Sequence, residues 1–153
     1  MASHEHYMQA AITEALKGQG RTFPNPSVGC VIVHQDTVVA SGYHHRAGEP
    51  HAEIMAFRQF DPLDIDPKEC DLYVTLEPCC IHGRTPPCTQ AILDRGFSRV
   101  FIGSTDPNPR VDGGGIEQLT ARGIEVHHGI LSEQTDNVIA AFAKRMLLSL
   151  IHI

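Results

Sequence analysis

Apolar positions along the chain fall into blocks of helical and strand-like spacing that take turns. Between Tyr7 and Leu16, the residues Met8, Ala11, Ile12, Ala15 and Leu16 recur three and four apart, which predicts an amphipathic helix stopped by Gly18 and Gly20. Val28 to Val33 is a near-continuous apolar run, the pattern of a strand covered on both faces. A turn at Gln35-Asp36 leads into a second strand, Thr37 to Gly42, so the two read as a hairpin. Helical spacing returns over His51 to Phe60, just behind Pro50. Leu72 to Leu76 is a short strand, and Pro87 to Arg95 a helix entered through proline and closed near Gly96. Arg99 to Gly103 is a strand, Gly115 to Arg122 a helix ended by Gly123, and Glu125 to Gly129 a further strand. A last helix is expected from about Glu133 to Met146.

Strands and helices alternate after the opening hairpin, which predicts an α/β layered sheet with parallel neighbours. In such sheets ligand sites gather where the carboxyl ends of strands lead into helix N-termini. No internal repeat, low-complexity segment or linker interrupts the pattern. At 153 residues and 42% hydrophobic, residues 1–153 are expected to form a single domain with one core.

Charge and cysteine usage narrow the function classes. A net charge of -6 leaves no basic footprint, and aromatic residues are few with no tryptophan, so nucleic acid is not an expected partner. The five cysteines are an odd number, and their spacing does not resemble the disulfide framework of a small secreted protein. Met1 to Tyr7 is polar and histidine-rich, unlike a signal peptide, and Met146 to Ile153 is far too short to span a bilayer. The expectation is a cytoplasmic protein without a membrane partner, whose free thiolates can hold a metal.

Two stretches carry the chemistry: His51-Ala52-Glu53, and the loop from Pro78-Cys79 to Pro87-Cys88. A histidine and two cysteines are zinc ligands by type, and three protein ligands leave the fourth position open, as catalytic zinc requires. Neutral imidazole with two thiolates balances Zn²⁺. Placement at helix N-termini favours the thiolate forms of Cys79 and Cys88. Glu53 stands too close to His51 in sequence to be a comfortable second ligand, but it can reach a metal-bound water and move protons. Zinc deaminases carry this arrangement as H-x-E followed by P-C-x-x-C.

In this chain eight residues, rather than two, separate Cys79 from Cys88, and that loop contains Gly83-Arg84-Thr85-Pro86-Pro87. Further segments follow one family in order: Pro24-Asn25-Pro26 with Val28-Gly29, Gly48-Glu49, Thr75-Leu76-Glu77-Pro78-Cys79, and Asp106-Pro107-Asn108-Pro109 with the glycines after it. Over nearly its whole length the sequence resembles the deaminase domain of the bifunctional riboflavin-biosynthesis deaminase/reductase, in the cytidine-deaminase-like superfamily. The resemblance implies a three-layer α/β/α sandwich around a mixed, mostly parallel five-stranded sheet. It also implies zinc on His51, Cys79 and Cys88, with Glu53 as general acid/base. The implied reaction is hydrolytic deamination of 2,5-diamino-6-(5-phosphoribosylamino)pyrimidin-4(3H)-one, a phosphorylated aminopyrimidine, with release of ammonia.

By the same resemblance Asn25 and His44 hold the pyrimidine, Arg84 faces the 5'-phosphate and Asn108 helps bind the sugar-phosphate end. A guanidinium suits bidentate phosphate recognition, which agrees with the place given to Arg84. The superfamily resemblance also suggests a homo-oligomer. Family members normally continue into a reductase domain, expected to be absent from residues 1–153, so the chain reads as a fragment, an isolated domain or one with an altered end. A separate NADPH-dependent reductase is one candidate partner for the following reduction.

Two features depart from the family. Ser-His commonly follows the first cysteine, where this chain has Cys80-Ile81, which removes a possible donor to substrate. Leu147 to Ile153 also differs from the usual connection to the reductase. Other readings therefore stand beside the first: a deaminase of cytosine, guanine, cytidine or tRNA adenosine, or a catalytically silent zinc domain serving as an interaction module. A structural zinc would take Cys80 or His82 as a fourth ligand. Asn25 and Asn108 beside prolines also suit plain turns, and Arg84 a solvated loop. Gly113-Gly114-Gly115 lacks the lysine of a P-loop and gives the chain room to turn. Cys30 is expected in the core, Cys70 in a polar loop, His127-His128 on the surface at a strand end, and His4 and His6 in a fraying terminus. Of His44 and His45, which alternate in facing, His44 is expected to face the pocket.

Overall fold

The computed structural model describes residues 3–22, 25–81, 85–107 and 114–140. Helix α1 spans His4–Lys17, and the Ser3 hydroxyl caps it by accepting from the His6 amide at 3.2 Å. Tyr7, Met8, Ala11, Ile12 and Ala15 line its buried face. The cap starts the helix one turn earlier than the apolar spacing suggests. His4 is consequently not frayed: its Nδ1 lies 2.6 Å from the Tyr73 hydroxyl and its ring stacks on Phe101 at 4.3 Å.

Strands β1 (Gly29–His34) and β2 (Thr37–Tyr43) form the expected antiparallel hairpin. Gln35 and Asp36 both take positive φ (49° and 61°), as a tight turn matching the right-handed strand twist requires. Helix α2 (Ala52–Phe60), β3 (Cys70–Leu76), α3 (Cys88–Arg95), β4 (Arg99–Ser104), α4 (Gly114–Ala121) and β5 (Glu125–His128) follow. A further helix, α5, covers residues 132–140 of the described chain, in agreement with the first part of the expected last helix. Residues beyond 140, where that helix was expected to continue to Met146, lie outside the described residues.

The sheet order is β2-β1-β3-β4-β5. β1 runs antiparallel to both β2 and β3, while β3, β4 and β5 are mutually parallel. Four of the five strands therefore point one way and β1 alone is reversed, so the mixed, mostly parallel sheet is borne out. Alternating side chains split the core into two layers. Ile32, Leu72, Val74, Val100 and Ile102 pack beneath Phe57 of α2, Ile92 of α3 and Leu119 of α4. Val31, Val33, Tyr73 and Phe101 face Met8, Ala11 and Ile12 of α1 and Val138 of α5. Each fully buried Val, Leu or Ile contributes about 1.5–3 kcal/mol relative to exposure. The two apolar faces give the expected three-layer α/β/α arrangement.

Cys70 differs from its expected place. It begins β3, is 1% exposed and donates from Sγ to the Asp66 carbonyl at 3.6 Å. Burial pushes its thiol up to about 11. The acidic residues around it disguise a strand end that tertiary packing covers. Cys30 lies in the core as expected, and His127 is exposed near the end of β5, 2.9 Å from Glu125. Among the described residues no helix is long and apolar enough to cross a membrane.

Close packing of α2 on the hairpin sets the position of the helix that begins after His51. A Cβ on Gly42 of β2 would collide with the Ala56 amide of α2, so only glycine allows this approach. Helix α2 thereby rests directly on the sheet, with His51 and Glu53 at its near end.

Candidate active site

His51 is the N-cap of α2 in extended conformation, and its side chain makes no capping hydrogen bond. The imidazole is therefore free to turn towards the end of β3. Beyond that strand, Cys79 lies against the start of α3: the Cys88 amide donates to Cys79 Sγ at 3.1 Å, and the Thr89 amide to the Cys79 carbonyl at 3.2 Å. Pro87 precedes Cys88 as the cap of α3, and the helix closes at Gly96 with a left-handed φ of 84°. The loop between the two cysteines thus returns so that both sulfurs meet one imidazole.

His51 Nδ1 lies 3.3 Å from Cys88 Sγ and 3.6 Å from Cys79 Sγ, and the three donor atoms all fall within 4.8 Å of one another. Tetrahedral zinc with bonds of ~2.3 Å to sulfur and ~2.0 Å to nitrogen would space such donors ~3.5 Å apart. Donor type and spacing fit that ion. Cys79 is drawn down to about 4, first by the Cys88 thiol donating to it, with further help from His51 and the Cys88 amide against the cost of burial. Cys88 is pushed up by that same sharing with Cys79 and by its burial. Cys80 stands apart from this group, its sulfur packed beside Gly114, so among the described residues it is not a fourth ligand. His82 lies outside the described residues.

Glu53, the second residue of α2, is 3% exposed. Burial, then the charge of Cys79, pushes its carboxyl up to about 7, the range in which a group gives and takes protons at neutral pH. It lines a cavity of about 130 Å³ together with Asn25, His44, His51, Cys79 and Asp106.

A short relay orders two walls of that cavity. His44 Nδ1 lies 3.0 Å from the Pro50 carbonyl, which can only accept, so Nδ1 carries the proton. Its Nε2 is then an acceptor for the Asn25 side-chain amide at 3.1 Å. Burial lowers the His44 pKa, in keeping with this neutral form. Asn25 is left with its carbonyl oxygen as a further acceptor. His45 instead lies against the Tyr43 ring and near Glu49, so His44 is the one of the pair that faces the cavity.

Arg84 and Asn108 lie outside the described residues. Thr85 and Pro86, which follow Arg84, line a larger groove of about 600 Å³ that opens beside His51, Cys88 and Asn25. Two acidic wall residues carried no role in the sequence reading, Glu77 and Asp106. Both sit inside quoted motifs, Thr-Leu-Glu-Pro-Cys and Asp-Pro-Asn-Pro, and that proximity was the only local signal.

Comparison with known proteins agrees with this geometry. The riboflavin biosynthesis protein RibD of Escherichia coli (strain K12) is 46% identical over 142 residues, covering 93% of this chain and 38% of the relative. The RibD protein of Actinobacillus pleuropneumoniae is 51% identical over 130 residues, covering 85% of this chain and 34% of the relative. The chain thus spans little more than a third of the length of these curated relatives. Among solved structures, the diaminohydroxyphosphoribosylaminopyrimidine deaminase/5-amino-6-(5-phosphoribosylamino)uracil reductase of Thermotoga maritima superposes with a TM-score of 0.84 at 43% identity, over 92% of this chain and 41% of that one. Residues 1–104 match the model of the cytidine and deoxycytidylate deaminase zinc-binding region, and the chain belongs to that family.

Proposed function

We propose that this protein is a zinc-dependent aminohydrolase that removes the 2-amino group of 2,5-diamino-6-(5-phosphoribosylamino)pyrimidin-4(3H)-one in riboflavin biosynthesis. The observation that carries the reading is the convergence of His51, Cys79 and Cys88 within 4.8 Å, with His51 and Cys79 in a cavity wall shared with buried Glu53. The similarity to the Thermotoga maritima deaminase/reductase supports the choice of substrate.

In this reading His51, Cys79 and Cys88 hold the zinc. Zinc held there would supply the acidification that makes a water molecule a nucleophile at neutral pH. The Glu53 carboxylate takes a proton from that water and delivers it to the exocyclic nitrogen. A carbon–oxygen bond forms, the carbon–nitrogen bond breaks, and the amino group leaves as ammonia. Neutral His44 holds the Asn25 side chain, whose free carbonyl oxygen accepts from an N–H of the pyrimidine. Arg84 pairs with the 5'-phosphate and Asn108 with the sugar-phosphate end. Residues 1–153 act as one deaminase domain, in the cytoplasm, as a homo-oligomer, and the product passes to an NADPH-dependent reductase.

The deciding experiment is ammonia release from purified, zinc-loaded protein over a panel of the diaminopyrimidinone, cytosine, guanine, cytidine and deoxycytidylate. Turnover of the diaminopyrimidinone at least about tenfold more efficient than any other base is expected, the size of a preference that one phosphate contact can give. Preference for an unphosphorylated base, unaffected by Arg84→Ala, would replace the substrate. Full zinc content with no turnover anywhere would leave the silent-module reading.

A further inference from the structure

Glu77 carries no role in the reaction above, yet among the described residues its buried carboxylate accepts from three backbone amides in two distant places. Oε1 accepts from the Asp106 amide at 3.1 Å, and Oε2 from the Gly115 and Ile116 amides at 2.8 and 3.1 Å. The side chain is 3% exposed and its own amide donates to the Ser104 carbonyl at 2.8 Å, which fixes its backbone to the end of β4. One carboxylate therefore holds both ends of the connection from β4 to α4, residues 106 and 115–116. The span between them includes Asn108, and Asp106 is itself a wall of the small cavity.

The contact is reinforced from both sides. A Cβ on Gly115 would press on the Pro78 carbonyl and approach Glu77 Cγ at 3.0 Å, so glycine is what lets α4 meet the strand end so closely. Gln118 of α4 donates to the Cys80 carbonyl at 3.2 Å and accepts from the Thr89 hydroxyl of α3 at 2.8 Å. The start of α4 is thus fastened to the same loop that bears Cys79.

We propose that Glu77 is a positioning residue for substrate: its carboxylate clamps residues 106 and 115–116 to the cysteine loop and so sets Asp106, a wall of the cavity in which the substrate lies. This rests on the deaminase reading of the site, although the clamp itself can be tested without substrate. Glutamine at this position offers one acceptor oxygen and one NH₂ group. Whichever way it turns, an N–H group then faces either the Asp106 amide or the α4 amides, and one end of the connection is released.

The test compares Glu77→Gln and Gly115→Ala with the unaltered protein for zinc content, kcat and KM of ammonia release, and hydrogen exchange of the Asp106, Gly115 and Ile116 amides. The expected result for both variants is full zinc, kcat within about threefold and KM raised about tenfold or more, the signature of lost substrate binding with the chemistry retained. Exchange at those amides should accelerate by about tenfold, as lost local protection predicts. Unchanged KM with normal zinc overturns the proposal, and so does loss of zinc and kcat together, which would make Glu77 part of the metal support. If the unaltered protein deaminates nothing, the substrate reading fails on its own. Exchange then decides the clamp: unchanged protection in Glu77→Gln rejects it, and faster exchange with normal zinc upholds it.

Discussion

The backbone amide of Cys88 donates to the sulfur of Cys79 at 3.1 Å, so one candidate ligand is held in place by the peptide group of the other. The hydrogen bond joins the end of β3 to the first turn of α3, and it survives any change confined to the Cys88 side chain.

Cys88→Ala and Cys79→Ala should therefore differ. Each removes a ligand and should weaken zinc binding by at least about 100-fold, more than supporting residues around a metal typically cost. Cys79→Ala also removes the acceptor at the start of α3, so it should lose more thermal stability than Cys88→Ala, by about 1 kcal/mol. Zinc titration with a chromophoric chelator and thermal unfolding after chelation measure both. Equal stability of the two variants would reject this use of the amide.

Glu53→Gln keeps the shape of the side chain and removes its proton transfer. It should retain zinc fully while kcat falls by about 10²–10⁴, the range that general acid–base catalysis supplies. Ammonia release alongside metal analysis checks this, and a fully active variant would take the proton shuttle away from Glu53.

Stability of chelator-treated protein should report the burial of Glu53. Its folded value of about 7 lies above its ordinary 4.5, so the folded chain holds a proton that the unfolded chain has released. The contribution of this group is full below 4.5 and declines as pH rises to about 7. That span corresponds to roughly 3 kcal/mol. Cys79, lowered from 9.0 to about 4, has the opposite sign and gains over its own window, so total stability does not isolate either group. The Tm difference between Glu53→Gln and the unaltered protein does: it should grow in favour of the variant from about pH 4.5 to about pH 7 and then level off. A difference independent of pH would contradict the assignment.

Asn25→Ala should leave the metal untouched, since Asn25 bonds His44 and not the donor cluster. Loss of its substrate contact should raise KM about tenfold, a penalty of about 1.4 kcal/mol. Steady-state kinetics with zinc analysis distinguishes this from a ligand effect. An unchanged KM would return Asn25 to the role of a turn residue, where its amide donates to the Thr22 carbonyl at 2.7 Å.

Much of this protein was legible in local pattern. Val28 to Val33 reads as a strand because both its faces are covered, and β1 indeed lies between β2 and β3 beneath helices on both sides. Gln35-Asp36 reads as a turn from its residues alone. His4 and Cys70 were misjudged for a shared reason. Both are flanked by polar residues; the contacts that order His4 come from Tyr73 and Phe101, and the packing that buries Cys70 from the rest of the sheet, all remote in sequence.

By itself, the sequence determined the donor types, their spacing and the alternation of strands and helices, because ligand chemistry and side-chain periodicity are local properties. Only the tertiary structure decided that His51 Nδ1 meets both sulfurs, that His44 is protonated on Nδ1, and that Glu77 fastens residues 106 and 115–116. Those relationships depend on backbone groups meeting across the sheet. Every residue has the same amide and carbonyl, so no residue type announces which of them will be its partner.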